Sequence, residues 1–201
     1  MRLLLLCLGL MWVALLPPLA RAQEIPRAAI QHRAELTRAA HAAWGLDAPV
    51  AMFAAQIHAE SGWNPEAVSG VGATGMAQFM PDTARWWCGL NKLSAAECQP
   101  RNPAWALRAL VGYDRWLFER VRAPTRYDRL WAALRAYNGG LGNWQQEAAR
   151  VRPALDRLTV DGACGKARRS PRFCAENLLY PRRILTVLQP RYAPWGGEVM
   201  P

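Results

Sequence analysis

The sequence predicts a mainly α-helical fold built as a single domain, and three observations carry that prediction. The chain has 201 residues (22.4 kDa), enough for one sizeable core and too few for two ordinary ones. Apolar residues recur at helical spacing in segment after segment, while strand-like alternation is scarce. Hydrophobic residues make up 52% and charged residues 20%, a balance that excludes an intrinsically disordered or collagen-like chain.

The first segment is expected to be removed. Arg2 precedes an almost unbroken apolar run from Leu3 to Leu16, Pro17-Pro18 stops it, and Ala20-Arg21-Ala22 offers a small-residue cleavage site. The run is shorter than the ~20 residues a spanning helix needs, so residues 1–22 are predicted to be a secretory signal and 23–201 the exported domain. An uncleaved membrane anchor is the competing reading. Cys7 lies inside the run and leaves with it, without the small residues that a lipoprotein signal places before its cysteine. The expected product is periplasmic or exported, with no stable membrane anchor after cleavage.

Helices follow in order. An Ala-rich helical pattern runs from Glu24 to Trp44 and is stopped by Gly45. Asp47 is a candidate N-cap for a second helix from about Pro49 to Gly62. Residues 63–80, with Gly70, Gly72 and Gly75, read as a loop containing short extended pieces. Pro81 opens a short helix through Trp86, Trp87 and Cys88. Asn102-Pro103 caps a long helix to about Val121, and a fifth spans about Tyr127 to Tyr137 before Gly139-Gly140. A sixth covers Trp144 to Val151, and Ala175 to Leu188 carries the last helical pattern.

Cysteine count and charge narrow the setting. Cys88, Cys98, Cys164 and Cys174 remain after signal removal, an even number that reads as two disulfides in an exported chain. Three connectivities are possible, and the two ten-residue spacings favour Cys88–Cys98 and Cys164–Cys174 as local staples. Zinc-type spacings such as C-x-x-C are lacking, so no metal and no cofactor is expected. The net charge is +10. Removing Arg2 and Arg21, and no acid, leaves 23 basic against 15 acidic side chains, or +8. Such a chain is drawn to anions: nucleic acid, acidic lipid or an anionic wall polymer.

Two helix ends could carry chemistry. Glu60 lies three residues after Ile57 and seven after Phe53, so it closes an apolar stripe at the C-terminal end of the second helix. Desolvation and the negative end of the helix dipole would both raise its pKa; a structural glutamate beside a glycine loop is the plainer alternative. On the fifth helix Leu130, Ala133, Leu134 and Tyr137 share one face, which sends Tyr137 into the core just before Asn138. His58-Ala59-Glu60 has the H-x-E of zinc deaminases without the P-C-x-x-C that should follow. Ser69 lacks the glycine needed for a nucleophile elbow, since Ala67 stands there.

Three ordered segments go further: Glu60-Ser61-Gly62-Trp63-Asn64-Pro65, then Gly72 to Ala84 (GATGMAQFMPDTA), then Ala136-Tyr137-Asn138-Gly139-Gly140. Together they resemble the signature segments of the soluble lytic transglycosylase (SLT) family, over roughly Trp44 to Arg191. The resemblance implies a lysozyme-like fold of the goose type. It implies a peptidoglycan lytic transglycosylase that cleaves the MurNAc–GlcNAc β-1,4 bond and leaves 1,6-anhydromuramic ends. Glu60 matches the catalytic acid, Ser61 its neighbour, Gln78 the glutamine of the second segment, and Tyr137 and Asn138 the pair bordering the carboxyl. Met76, Tyr113 and Tyr180 fall on further family positions and complete the expected substrate-binding set; Tyr137 is expected to orient Glu60. Trp63, Trp86 and Trp87 are open between sugar stacking and core packing.

Two departures matter. Ala77 stands where many relatives have methionine, and Asp114 follows Tyr113 where leucine is usual. Asp114 falls on the apolar stripe of the long helix, which leaves two readings: a pair with an arginine, or a second carboxylate in the groove. Expected partners are the glycan strands of peptidoglycan and not nucleic acid, for which no binding motif is present. Two rival functions remain. One is a muramidase of the same fold, which needs Asp114 or Asp82 across the cleft from Glu60. The other is a non-catalytic wall-binding component of an envelope machine. The Arg-rich segment 165–172, enclosed by the second cysteine pair, has two equal readings, a specificity loop or a stapled surface loop.

Overall fold

The computed structural model describes residues 24–201; the predicted signal and Cys7 lie outside them. Helix α1 is Arg27–Ile30, α2 Arg33–Trp44, α3 Val50–Ser61, α4 Pro81–Leu90 and α5 Pro103–Arg120. After these come α6 Arg126–Gly139, α7 Leu141–Ala149, α8 Arg157–Asp161, α9 Cys174–Arg182 and α10 Gln189–Tyr192. Pairing between extended residues is limited, among the described residues, to isolated bridges joining Val68, Thr74 and Phe79 in the glycine-rich loop. That is the mainly helical fold the sequence predicts, with its short extended pieces.

Helix α3 is the axis. All eight residues from Val50 to Ile57 are buried, and its small residues (Ala51, Ala54, Ala55) let α2, α10 and the turn before α10 approach closely. Its start differs from expectation. Asp47 does not cap it: Pro49 holds the N-cap position, with no side-chain hydrogen bond there. The N–H of Ala51 is instead accepted by the carbonyl of Gly196, at 2.9 Å. The C-terminal segment thus satisfies a free helix donor that a local side chain usually serves. Gly197 lies so close that a Cβ on it would run into the carbonyl of Ala48.

Other elements shift slightly. The first predicted helix is interrupted at Gln31-His32. Asn102 caps α5 as expected, its side chain accepting from the N–H of Trp105 at 3.2 Å. Thr125 caps α6 in the same way through the N–H of Asp128. Helix α7 starts three residues earlier than predicted, and α8, one turn long, has no counterpart in the sequence reading. The last helix passes through π-helical turns at Arg183–Leu188. Pro181 and Pro190, which lack an N–H, flank that stretch, and missing donors favour such a change of ladder.

Both favoured disulfides form: Cys88–Cys98 ties the end of α4 to the loop before α5, and Cys164–Cys174 closes the Arg-rich loop onto the start of α9. Among the described residues no helix is long and apolar enough to cross a membrane.

Candidate active site

Glu60 is the penultimate residue of α3. Gly62 ends the helix in the left-handed region (φ 61°), its N–H donating to the carbonyl of His58. Trp63 follows at φ 71° and is fully buried. Its Nε1 donates to the hydroxyl of Tyr192 at 2.8 Å, and the same hydroxyl lies 2.8 Å from Nδ1 of His58. This three-way contact fixes the direction in which the chain leaves α3. Trp63 is therefore core and not a sugar platform, as is Trp87; Trp86 is 42% exposed and packs edge-on against Tyr113 and Trp116.

The carboxyl of Glu60 opens into a cleft of about 380 Å³ whose walls include Gln78, Tyr113, Tyr137, Asn138 and Glu176. Its pKa is raised from 4.5 to about 7. Burial is the main cause; the anion of Glu176 adds to it, while a hydrogen bond from Tyr180 and the charge of Arg183 oppose it. A carboxyl poised near neutrality can give a proton and later take one.

The hydroxyl of Tyr180 donates to Oε1 of Glu60. That role was expected of Tyr137, and the structure reassigns it. Tyr137 Oη donates to the carbonyl of Ala77 at 2.7 Å, binding α6 to the glycine-rich loop. The two rings lie parallel, 6.5 Å apart, so Tyr137 backs the tyrosine that holds the acid. Tyr180 belongs to the expected substrate-binding set, yet 120 residues separate it from Glu60.

The remaining expected residues divide between cleft and scaffold. Gln78 faces the cleft, at φ 48°, with Nε2 donating to the carbonyls of Gly75 (2.9 Å) and Ala67 (3.2 Å). Its amide nitrogen shapes the loop, and its Oε1 is the atom left for a ligand. Gly75 is required where it stands, since a Cβ there would strike the backbone of Pro100. Ser61 clasps the same loop by donating to the carbonyl of Met76 at 2.9 Å. Met76, expected among the substrate-binding residues, is fully buried, so its side chain is core and only its carbonyl serves the site. Tyr113 is half-buried on the cleft wall, with burial pushing its hydroxyl up to about 12.

Asn138 sits where the cleft continues toward the second disulfide. Its Nδ2 donates to Glu176 (3.3 Å) and its Oδ1 accepts from Asn177 Nδ2 (2.9 Å). Behind it lies a buried ionic network that sequence reasoning missed. Arg135, wholly buried, donates to Asn177 Oδ1 (3.0 Å), Asp161 (3.0 Å) and Glu147 (2.5 Å). Arg169, from the Arg-rich loop, donates to the other oxygen of Glu147 at 2.8 Å. Arg169 is thus a buried strut of this network. One signal was available: Arg135 lies four residues after Trp131, and Glu147 three after Trp144, each on a buried face.

The two aspartates settle into different places. Asp82 is exposed and ion-paired to Arg85. Asp114 is buried and does not pair with an arginine; its Oδ1 accepts from Nε2 of Gln56 at 3.4 Å. Among the described residues no cluster of side chains is arranged to hold a metal ion.

A helical domain with one raised carboxyl at the end of its central helix, held by a distant tyrosine beside a glutamine-bearing loop, defines the lysozyme-like class. Within that class the family is shown directly: residues 35–158 match the model of the Transglycosylase SLT domain, and the chain belongs to that family. It is 35% identical over 107 residues to the membrane-bound lytic murein transglycosylase F of Maricaulis maris, covering 53% of this chain and 22% of that protein. The protein of the same name from Saccharophagus degradans is 38% identical over 100 residues, covering 50% and 18%. The chain spans about a fifth of the length of such curated relatives. In fold it is similar to the 70 kDa soluble lytic transglycosylase SLT70 of Escherichia coli, with TM-score 0.64, 19% identity and coverage of 83% of this chain and 25% of that one. Lytic transglycosylase Slt of Pseudomonas aeruginosa gives TM-score 0.59 at 22% identity, covering 83% and 24%.

Proposed function

We propose that this chain is a peptidoglycan lytic transglycosylase that cleaves the MurNAc–GlcNAc β-1,4 bond and leaves 1,6-anhydromuramic ends. The observation that carries the reading is Glu60 itself, a carboxyl raised to about 7 and held by Tyr180 at the floor of the cleft. Glu60 protonates the glycosidic oxygen as the bond to it breaks. The substrate's N-acetyl group stabilises the cation that develops. Glu60, now the base, takes the proton of the sugar's own 6-hydroxyl as that oxygen closes on the anomeric carbon. The glutamate ends in the protonated form in which it began, and water takes no part.

Tyr180 keeps the carboxyl in one orientation through both transfers. Gln78 Oε1 and Asn138 contact the N-acetyl and ring groups, Tyr113 and Tyr137 line the sugar path, and Ser61 fixes the loop that carries Gln78. The aspartates a hydrolytic mechanism would need are engaged elsewhere: Asp82 outside with Arg85, Asp114 sealed against Gln56. The excess positive charge favours a wall polymer rich in stem-peptide carboxylates. Residues 1–22, acting as a secretory signal, deliver the domain to the periplasm or beyond, where that polymer is.

The test is mass spectrometry of muropeptides released from purified sacculi, with Glu60→Gln as control. Anhydro ends from the wild type and none from the variant are expected. Reducing ends would refute the transglycosylase reading and turn attention to Glu176 as a hydrolytic base. Absence of release by the wild type would favour a non-catalytic wall-binding role.

A further inference from the structure

Helix α3 carries a second polar group one turn before Glu60. Gln56 is completely buried, and its amide faces Asp114 of α5, which is 1% exposed. One hydrogen bond joins them, Gln56 Nε2 to Asp114 Oδ1 at 3.4 Å. The two remaining oxygens, Gln56 Oε1 and Asp114 Oδ2, are both buried and both lack a partner. An amide oxygen and a carboxylate oxygen can each only accept. If Asp114 were ionised, the site would hold two stranded acceptors and a buried charge, an arrangement folded proteins avoid.

The charged and titratable groups that face Asp114 give it no relief. They are Glu60 from α3, Tyr113 from α5 itself, Tyr137 from α6 and Tyr180 from α9, all acids. The hydroxyl of Tyr137 is committed to Ala77 and that of Tyr180 to Glu60. A single proton on Oδ2 resolves the arrangement. It supplies the donor that Gln56 Oε1 lacks and removes the charge, closing a ring of two hydrogen bonds between acid and amide. Burial acts in the same direction on Asp114.

We propose that Asp114 is held as the neutral acid at working pH, donating to Gln56 Oε1 and accepting from Gln56 Nε2. This clasp fastens α3 one turn below Glu60 and leaves Glu60 as the one member of the buried carboxyl pair that titrates. Asp114 is thus a positioning residue, acting through α3. The role rests on the reading of Glu60 as the catalytic acid, whereas the proton on Asp114 does not.

The experiment is an infrared difference spectrum at neutral pH between the wild type and Asp114→Asn, paired with the pH dependence of sacculus solubilisation. Asparagine reproduces the neutral acid's pattern, one donor and one acceptor toward Gln56. The expected spectrum shows a protonated-carboxyl band in the wild type that the variant loses. Asp114→Leu, which strands the Gln56 amide, should lower turnover roughly tenfold or more through misplacement of Glu60; Asp114→Asn should restore it with the alkaline limb of activity unmoved. Absence of the band, or a limb that moves down by about one unit or more in Asp114→Asn, would overturn the proposal, since removing a nearby anion lowers a carboxyl's pKa. Should Asp114→Asn fail to fold, a carbon-13 NMR titration of wild-type aspartate carboxyls decides: one resonance must stay in the protonated position through neutral pH. The spectra need no turnover, so a wild type with the band but without wall cleavage would refute the function and leave the protonated acid standing.

Discussion

Replacing Glu60 by glutamine should make the protein more stable at neutral pH while abolishing its turnover. The folded state raises this carboxyl from 4.5 to about 7, so folding disfavours its ionisation. Between those two values the folded chain holds a proton that the unfolded chain has released, and stability therefore falls as pH rises through the interval. A shift of about 2.5 units at about 1.4 kcal/mol each gives a penalty of about 3 kcal/mol by about pH 8, and less than about 1 kcal/mol at about pH 5. Glutamine is never charged, and it can still accept from Tyr180. Urea denaturation of both proteins should show Glu60→Gln ahead by up to about 3 kcal/mol at the higher pH, with the gap closing at the lower one. A variant that is equally or less stable at both pH values would refute the assignment of a desolvated, raised carboxyl at this position. It would also remove the physical basis for treating Glu60 as an acid that is half-protonated near neutral pH.

Other perturbations follow from the same geometry. In Tyr180→Phe the anion of Glu60 loses its donor; a charge-assisted bond worth about 1.5–3 kcal/mol should move the alkaline limb of activity up by about one to two units, and a limb that stays put would contradict the contact. Glu147→Gln leaves Arg135 and Arg169 without their shared anion, and chemical denaturation should register a loss of about 3–5 kcal/mol. Gly139→Ala would drive a Cβ into the Arg169 guanidinium and the Asn177 amide; the variant should be destabilised by about 1–3 kcal/mol, with weaker wall binding, because Asn177 in turn holds Asn138. Opening the Cys164–Cys174 link by double serine substitution should cost about 2–3 kcal/mol in thermal or urea unfolding, since the ten-residue spacing makes it a short loop.

Local features of the fold were legible because they are written in neighbouring residues. Phe53, Ile57 and Glu60 share a helix face whatever the chain does later, and Asn102-Pro103 announces a helix start that needs nothing from elsewhere. Asp47 shows the limit. It is an acceptable cap by type, yet the donor it should have served is taken by Gly196, which a reading of residues 45–50 cannot anticipate. Tyr137 and Tyr180 illustrate the same limit in the site: both belong to the expected set, but which hydroxyl reaches Glu60 depends on how α6 and α9 pack. The matched family model ends at residue 158, short of Tyr180. The Arg135–Glu147–Arg169 cluster joins three elements through charge pairs, and charges in sequence read as surface until burial is known. Helix α8 is one turn, too short for periodicity to register.

The grip of the C-terminal segment on α3 has a consequence for how the protein comes into being. Tyr180 holds the acid, Tyr192 fixes the exit of α3 through Trp63 and His58, and Gly196 receives the N–H of Ala51 at its other end. A polypeptide is made from its N-terminus, so Glu60 emerges more than a hundred residues ahead of the groups that aim it. Throughout that interval the nascent chain carries the carboxyl of Glu60 without the contacts that hold it. If the chain cuts the wall as proposed, its activity is timed by its own synthesis: the acid is not aimed until the segment through residue 196 has been made.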